Sequence, residues 1–192
     1  DQMNPIEGTE LTVYADADLA TVLATGTTNA DGEFRVTNMA DGTYYWRETQ
    51  AVSGYIPDAT VHEIVVVNGQ IQGPQQLQNT PTRVRFYKQD GATDALLSGA
   101  TLEIFTEDGT VLATGTTNAD GYIEVERLPI GQTLYVRETQ APNGYLLTSD
   151  TLSFSIDDTG VAMFANDEPG ISNTRQQYGI ALTKHKEQGV YN

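Results

Sequence analysis

The sequence predicts an all-β protein made of tandem β-sandwich domains, on three observations. It repeats itself: ATGTTNADG at residues 24–32 returns unchanged at 113–121, and RETQA at 47–51 returns at 137–141, each copy followed by Gly54-Tyr55 or Gly144-Tyr145. Within each copy apolar and polar residues alternate, the period of a strand with one face buried. Turn chemistry, Gly with Asn or Asp, punctuates these runs at short intervals, as in sandwiches. No stretch carries a helical period with caps.

The repeat sets the organisation. Gly8-Thr9-Glu10-Leu11 matches Gly99-Ala100-Thr101-Leu102, and Leu77-Gln78-Asn79-Thr80 matches Ile171-Ser172-Asn173-Thr174. The expected domains are therefore residues 1–81, which lack an opening strand, and residues 82–175, which are complete. A tail, 176–192, is left over. In chain order, strands are expected at Glu10-Leu11-Thr12-Val13-Tyr14, Thr43 to Glu48, Arg83 to Lys88, Thr101 to Phe105, Tyr122 to Val125 and Leu134 to Glu138. Asn29-Ala30-Asp31-Gly32 and Asn118-Ala119-Asp120-Gly121 are expected to be turns, Gly supplying positive φ and Asn closing an Asx turn.

Composition narrows the function. Ten Lys and Arg against 26 Asp and Glu give a net charge of −16, which argues against nucleic acid as a partner because phosphate binding needs clustered cations. The absence of cysteine removes disulfides, thiolate metal sites and Cys nucleophiles. No apolar run approaches the roughly 20 residues of a membrane span and no signal peptide opens the chain, so it reads as soluble, outside any membrane, and cut from something longer. The Asn29 and Asn118 turns lack the glutamate that ends a calcium loop. His62 and His185 have no ligand spacing around them, and no nucleophile elbow is present. Glu48 and Glu138 belong to different repeats, which argues against a glycosidase pair. No metal and no cofactor are expected.

Alternation also assigns faces, and some residues are the wrong chemistry for theirs. Lys88 continues the apolar face of Val84 and Phe86. Glu48 continues that of Tyr44 and Trp46, and Glu138 that of Leu134 and Val136. Asn79 shares a face with Leu77, and Asn173 with Ile171. Isolated buried charges are costly, but this set can react. A buried amine has its pKa lowered and becomes a nucleophile, while a buried carboxyl can hold and pass a proton. Attack on an Asn carboxamide expels ammonia and leaves an intramolecular Lys–Asn isopeptide bond.

At these residues the chain resembles the B-type (CnaB, SpaA-like) repeats of Gram-positive collagen adhesins and pilins, which are Ig-like sandwiches. The likeness rests on Gly99 to Ile104, on Arg137-Glu138-Thr139-Gln140-Ala141-Pro142-Asn143-Gly144-Tyr145, on Lys88, and on Asn173-Thr174; the first copy has Val52 in place of the proline. The resemblance implies a bond between Lys88 and Asn173 with Glu138 as its catalyst, Asn166 being the alternative acceptor because spacing from the glutamate does not choose between them. It implies a stalk segment of an extracellular, wall-attached protein whose partners are neighbouring repeats, and not an enzyme beyond one autocatalytic turnover. Two other roles stay open: binding a host surface ligand, for which outward Tyr45, Tyr87 and Tyr135 are the residues to inspect, and serving as accessory domains of a secreted hydrolase.

The first copy has Glu48 and Asn79 without a lysine. The tail Gly179-Ile180-Ala181-Leu182-Thr183-Lys184 has one, with Ile180, Leu182 and Lys184 alternating as Val84, Phe86 and Lys88 do. It either completes the first copy, in the same chain or by strand donation to another, with Lys184 meeting Asn79 and Glu48, or begins a third repeat.

Overall fold

Alternation becomes strands throughout the computed structural model, which describes residues 4–184. The first unit contains β1 (Glu10–Tyr14), β2 (Val22–Thr27), β3 (Gly42–Gln50), β4 (Tyr55–Ile56), β5 (His62–Val67), β6 (Gln70–Gln72) and β7 (Thr80–Pro81). The second contains β8 (Arg83–Asp90), β9 (Thr101–Thr106), β10 (Val111–Thr116), β11 (Tyr122–Glu126), β12 (Thr133–Gln140), β13 (Thr151–Ile156), β14 (Ala162–Phe164) and β15 (Gly170–Asn173). Each unit has a five-stranded antiparallel sheet, in the order β2-β1-β3-β5-β6 and β10-β9-β12-β13-β14.

The second unit closes its sandwich with a further sheet, β11-β8-β15. Its opening strand β8 is central, antiparallel to β11 and parallel to β15, with Ile171 opposite Lys88 and Asn173 opposite Asp90. First and last strands are thus neighbours. Between the sheets lie Val84 and Phe86 of β8, Leu102 and Ile104 of β9, Leu134 and Val136 of β12, and Phe154 and Ile156 of β13. Phe86 meets Phe154 edge-on at 5.0 Å between ring centroids.

The repeated nonapeptide is explained by its hydrogen bonds. Asn29 Oδ1 accepts from the backbone N–H groups of Asp31 and Glu33, and Asn118 Oδ1 from those of Asp120 and Tyr122. Gly121 adopts φ +73°, and an added Cβ would lie 2.6 Å from that of Leu96, so no other residue fits there. One step earlier, buried Thr28 and Thr117 each accept a backbone N–H and donate to a backbone carbonyl across the sheet entry.

Among the described residues the first unit has no counterpart of the second unit's three-stranded sheet; beside its five-stranded sheet only β4 and β7 pair, Tyr55 with Pro81 and Ile56 with Thr80. Residues 33–37, which match β11, and 76–79, which match β15, form no strand. The physical reason is topological: in the second unit both flanking strands hydrogen-bond to β8, and no described strand stands in that place in the first unit. Its buried core is correspondingly small, a cluster of Val13, Trp46 and Ile64 with Tyr14 and Val66 also buried. The outward tyrosines are half-buried rather than free. Tyr87 packs on Tyr122, and Tyr135 stacks on Phe105 beneath Arg137.

Candidate crosslinking site

In the second unit three strands from two sheets bring together the residues whose faces were anomalous. Lys88 comes from the middle of β8, Glu138 from β12 and Asn173 from the end of β15. The side chains of Lys88 and Glu138 are 0% exposed, and Asn173 is 2% exposed. Lys88 Nζ stands 3.4 Å from Glu138 Oε1. Asn173 Nδ2 donates to Glu138 Oε2 at 2.8 Å and to the Leu146 carbonyl at 2.5 Å, and the Thr148 N–H donates to the same Oε2 at 3.0 Å. Burial pushes the Lys88 ammonium pKa below its usual value, against the opposing pull of Glu138.

Polar satisfaction singles out this pocket. Among the described residues of the second unit, the buried side-chain atoms without a hydrogen bond are Lys88 Nζ, Glu138 Oε1 and Asn173 Oδ1. Such atoms are costly and rare in native interiors. Here one belongs to each residue of the triad. Asn166 stands elsewhere, exposed after β14 and accepting from the Glu168 N–H at 3.4 Å. The structure therefore groups Asn173, not Asn166, with the lysine and the glutamate.

A second cluster holds the register of this arrangement, and the sequence reading missed it. Asp90, 1% exposed, accepts from Arg175 Nε at 2.5 Å, from the Tyr145 hydroxyl at 2.8 Å and from the Ala92 N–H at 2.8 Å. Asp90 is two residues beyond Lys88, and Arg175 two beyond Asn173, so the clasp pins β8 to the exit of β15 beside the triad. The signal was available, since Asp90 extends the face of Val84, Phe86 and Lys88. The Arg175 hydrogen bond, with help from Ala92 and Tyr145, holds the Asp90 carboxyl well below the usual carboxylate range. A depressed folded pKa contributes stability that is present above the unfolded value, about pH 4, and is lost as pH falls toward the folded one. Asp90→Asn should lower the second unit's urea midpoint at pH 7, with the gap from the parent narrowing below about pH 4; a gap independent of pH would contradict this account.

The first unit holds two-thirds of the same site. Glu48, 5% exposed on β3, accepts from Asn79 Nδ2 on Oε1 and from the Asp58 N–H on Oε2, both at 2.7 Å, whereas Glu138 takes Asn173 and Thr148 on Oε2 alone and turns Oε1 to the lysine. Lys184 is not brought to this pair. It is exposed and outside any strand, and Ile180 and Leu182 are 86% and 91% exposed. His185 and the rest of the tail lie outside the described residues.

With the geometry in place, comparison with known proteins gives a consistent answer. No curated protein matches the chain. Among solved structures, the Bacillus anthracis TIE protein aligns at 24% identity over 91% of this chain and 32% of that one, with a TM-score of 0.50. The Streptococcal ancillary pilin aligns at 23% identity over 90% of this chain and 59% of that one, TM-score 0.38. The shaft pilin SpaA of Lactobacillus rhamnosus GG aligns at 18% identity over 93% and 88%, TM-score 0.42. The chain thus spans about a third of the TIE chain and 59% of the ancillary pilin. A model of the SpaA prealbumin-like fold domain matches residues 1–81 and again 82–168, and the chain belongs to that family, in two tandem copies.

Proposed function

We propose that this chain is a stalk segment of a Gram-positive surface adhesin or pilin, and that its complete repeat closes itself with an isopeptide bond between Lys88 and Asn173. The observation that carries the reading is the buried pocket in which Lys88 Nζ stands 3.4 Å from Glu138 Oε1 while Glu138 Oε2 accepts from Asn173 Nδ2 at 2.8 Å. Membership in a family of pilin-type domains supports the structural role. Extracellular placement, wall attachment and association with neighbouring repeats follow from the same reading.

The two oxygens of Glu138 divide the work. The neutral Lys88 amine attacks Asn173 Cγ, and Oε1, which faces the amine, takes its proton. The carboxylic acid so formed then gives that same proton up to the departing Nδ2, which lies against Glu138. The Cγ–Nδ2 bond breaks, ammonia leaves, and Glu138 ends in its starting state, so the exchange of amide for amide needs no oxidant or cofactor. Lowering the lysine pKa by burial raises the fraction of amine able to attack.

Intact mass under denaturing conditions tests this. The parent chain should weigh about 17 Da less than its sequence, one ammonia per bond. Lys88→Ala and the near-isosteric Glu138→Gln should each restore the full mass. A parent of unreduced mass, or a loss that persists in both variants, would overturn the crosslink.

A further inference from the structure

The Asn173 carboxamide is aimed by a loop that belongs to none of the three strands of the triad. Its Nδ2 has two N–H groups and two acceptors, Glu138 Oε2 at 2.8 Å and the Leu146 carbonyl at 2.5 Å. Two acceptors on one amide nitrogen fix the plane of the group, while its Oδ1 stays unpaired. Two residues beyond Leu146, the Thr148 N–H holds the same Glu138 Oε2 at 3.0 Å. Residues 145–148, between β12 and β13, therefore set the electrophile and the proton carrier together.

Apolar burial does not anchor this strap, since Leu146 and Leu147 are 52% and 58% exposed. Its anchors are polar. Tyr145 bridges Arg175, with the Leu146 N–H donating to the Thr174 carbonyl at 2.9 Å and the Gln176 N–H to the Gly144 carbonyl at 2.8 Å. The Tyr145 hydroxyl reaches Asp90 Oδ2 at the end of β8, and the Arg175 guanidinium, bound to the same oxygen, stands 5.8 Å from the tyrosine ring centroid. Next to Asp90, the Gly91 N–H donates to the Asn173 carbonyl at 2.9 Å. The end of β8 thus holds the Asn173 backbone directly and its carboxamide through Tyr145 and Leu146.

We infer that Tyr145, fastened by Asp90 and Arg175, is a positioning residue for the Lys88–Asn173 bond, holding the Leu146 carbonyl where it turns the Asn173 carboxamide toward the amine. The inference rests on the crosslink proposed above and adds a rate-setting part to its three reacting residues. The amide plane matters because the amine must approach Cγ from outside it, and a misplacement of about 1 Å lowers such a rate by about 100-fold. Without the tyrosine hydroxyl the strap keeps its backbone bridge but loses its side-chain tie to β8, the strand that carries the lysine. The Leu146 carbonyl also keeps hold of Nδ2 as it becomes ammonia. Residues 146–150 and Asn173 line an open cavity of about 340 Å³ through which that ammonia leaves.

The test follows ammonia loss in newly made chains. Each chain is produced by cell-free synthesis at neutral pH, synthesis is stopped, and intact mass is read at intervals under denaturing conditions. Folding is read separately by circular dichroism on a Lys88→Met background, where no bond forms in any chain. The rate per folded molecule should fall by about 10–100-fold in Tyr145→Phe and comparably in Asp90→Asn, while the final loss stays at about 17 Da. Loss in Tyr145→Phe at the parent's rate overturns the inference and leaves the Lys88–Asn173 bond standing. A slowing no larger than the drop in folded fraction makes the tyrosine merely structural and overturns it as well. A parent that loses no ammonia removes the crosslink itself, and the inference with it.

Discussion

Glu138→Gln is expected to destabilise the second unit more than Lys88→Met, although both abolish the same bond. A crosslink between the first and last strands closes a loop of nearly the whole unit. By analogy with a long-loop disulfide, it contributes on the order of 4 kcal/mol by restricting the unfolded chain. Lys88→Met forfeits that contribution but replaces a wholly buried amine with an apolar side chain of similar length, which suits its neighbours. Glu138→Gln forfeits it too and leaves the lysine in the same buried pocket without its carboxylate. Removing one member of a buried pair costs about 3–5 kcal/mol. For a unit of this size each kcal/mol shifts Tm by roughly 4–8 °C. Lys88→Met should therefore lower the second unit's Tm by about 20 °C, and Glu138→Gln by at least 10 °C more. Calorimetry on the three chains measures it directly. A Glu138→Gln Tm equal to the parent's would show that Glu138 does not build the bond, and one merely above that of Lys88→Met would show that it does not compensate the lysine.

What could be read from the sequence divides along a physical line. Features set by local periodicity were legible: strands β1, β3, β8, β9, β11 and β12, the Asn29 and Asn118 turns, and the inward faces of Lys88, Glu48, Glu138 and Asn173. A period of two leaves each side chain only two faces, so a charged residue in apolar company declares itself. Features set by which strands become neighbours were not. Nothing in the alternation of β8 says that it lies parallel to β15, and it is this pairing that places Asn173 rather than Asn166 beside the triad. The Asp90 clasp was missed for a related reason. Its partners, Tyr145 and Arg175, come from loop and exit segments with no periodicity to assign their direction. The incomplete first unit was legible as a missing lysine, whereas the larger consequence, loss of a whole sheet, follows only from the central position of β8.

That asymmetry should make the two units unfold separately, the first one well before the second. The second unit buries twelve apolar side chains in one cluster, whereas the first buries five, three of them clustered, while each fully buried Val, Leu, Ile or Phe contributes roughly 1.5–3 kcal/mol before entropy is counted. The conformational entropy opposing that burial is similar per residue in the two units, so the difference in core must appear as a difference in stability. The chain supplies its own reporter, because its single tryptophan, Trp46, lies in the first unit's core. Trp46 is 8% exposed, stacks on His62 at 4.5 Å and donates its indole N–H to the Pro74 carbonyl at 3.0 Å. In a urea titration of dilute protein, Trp46 emission should therefore change first, with a midpoint at least about 1–2 M below the major transition seen by far-ultraviolet circular dichroism. Coincident transitions would mean that the first unit gains from the second the stability its own core does not provide.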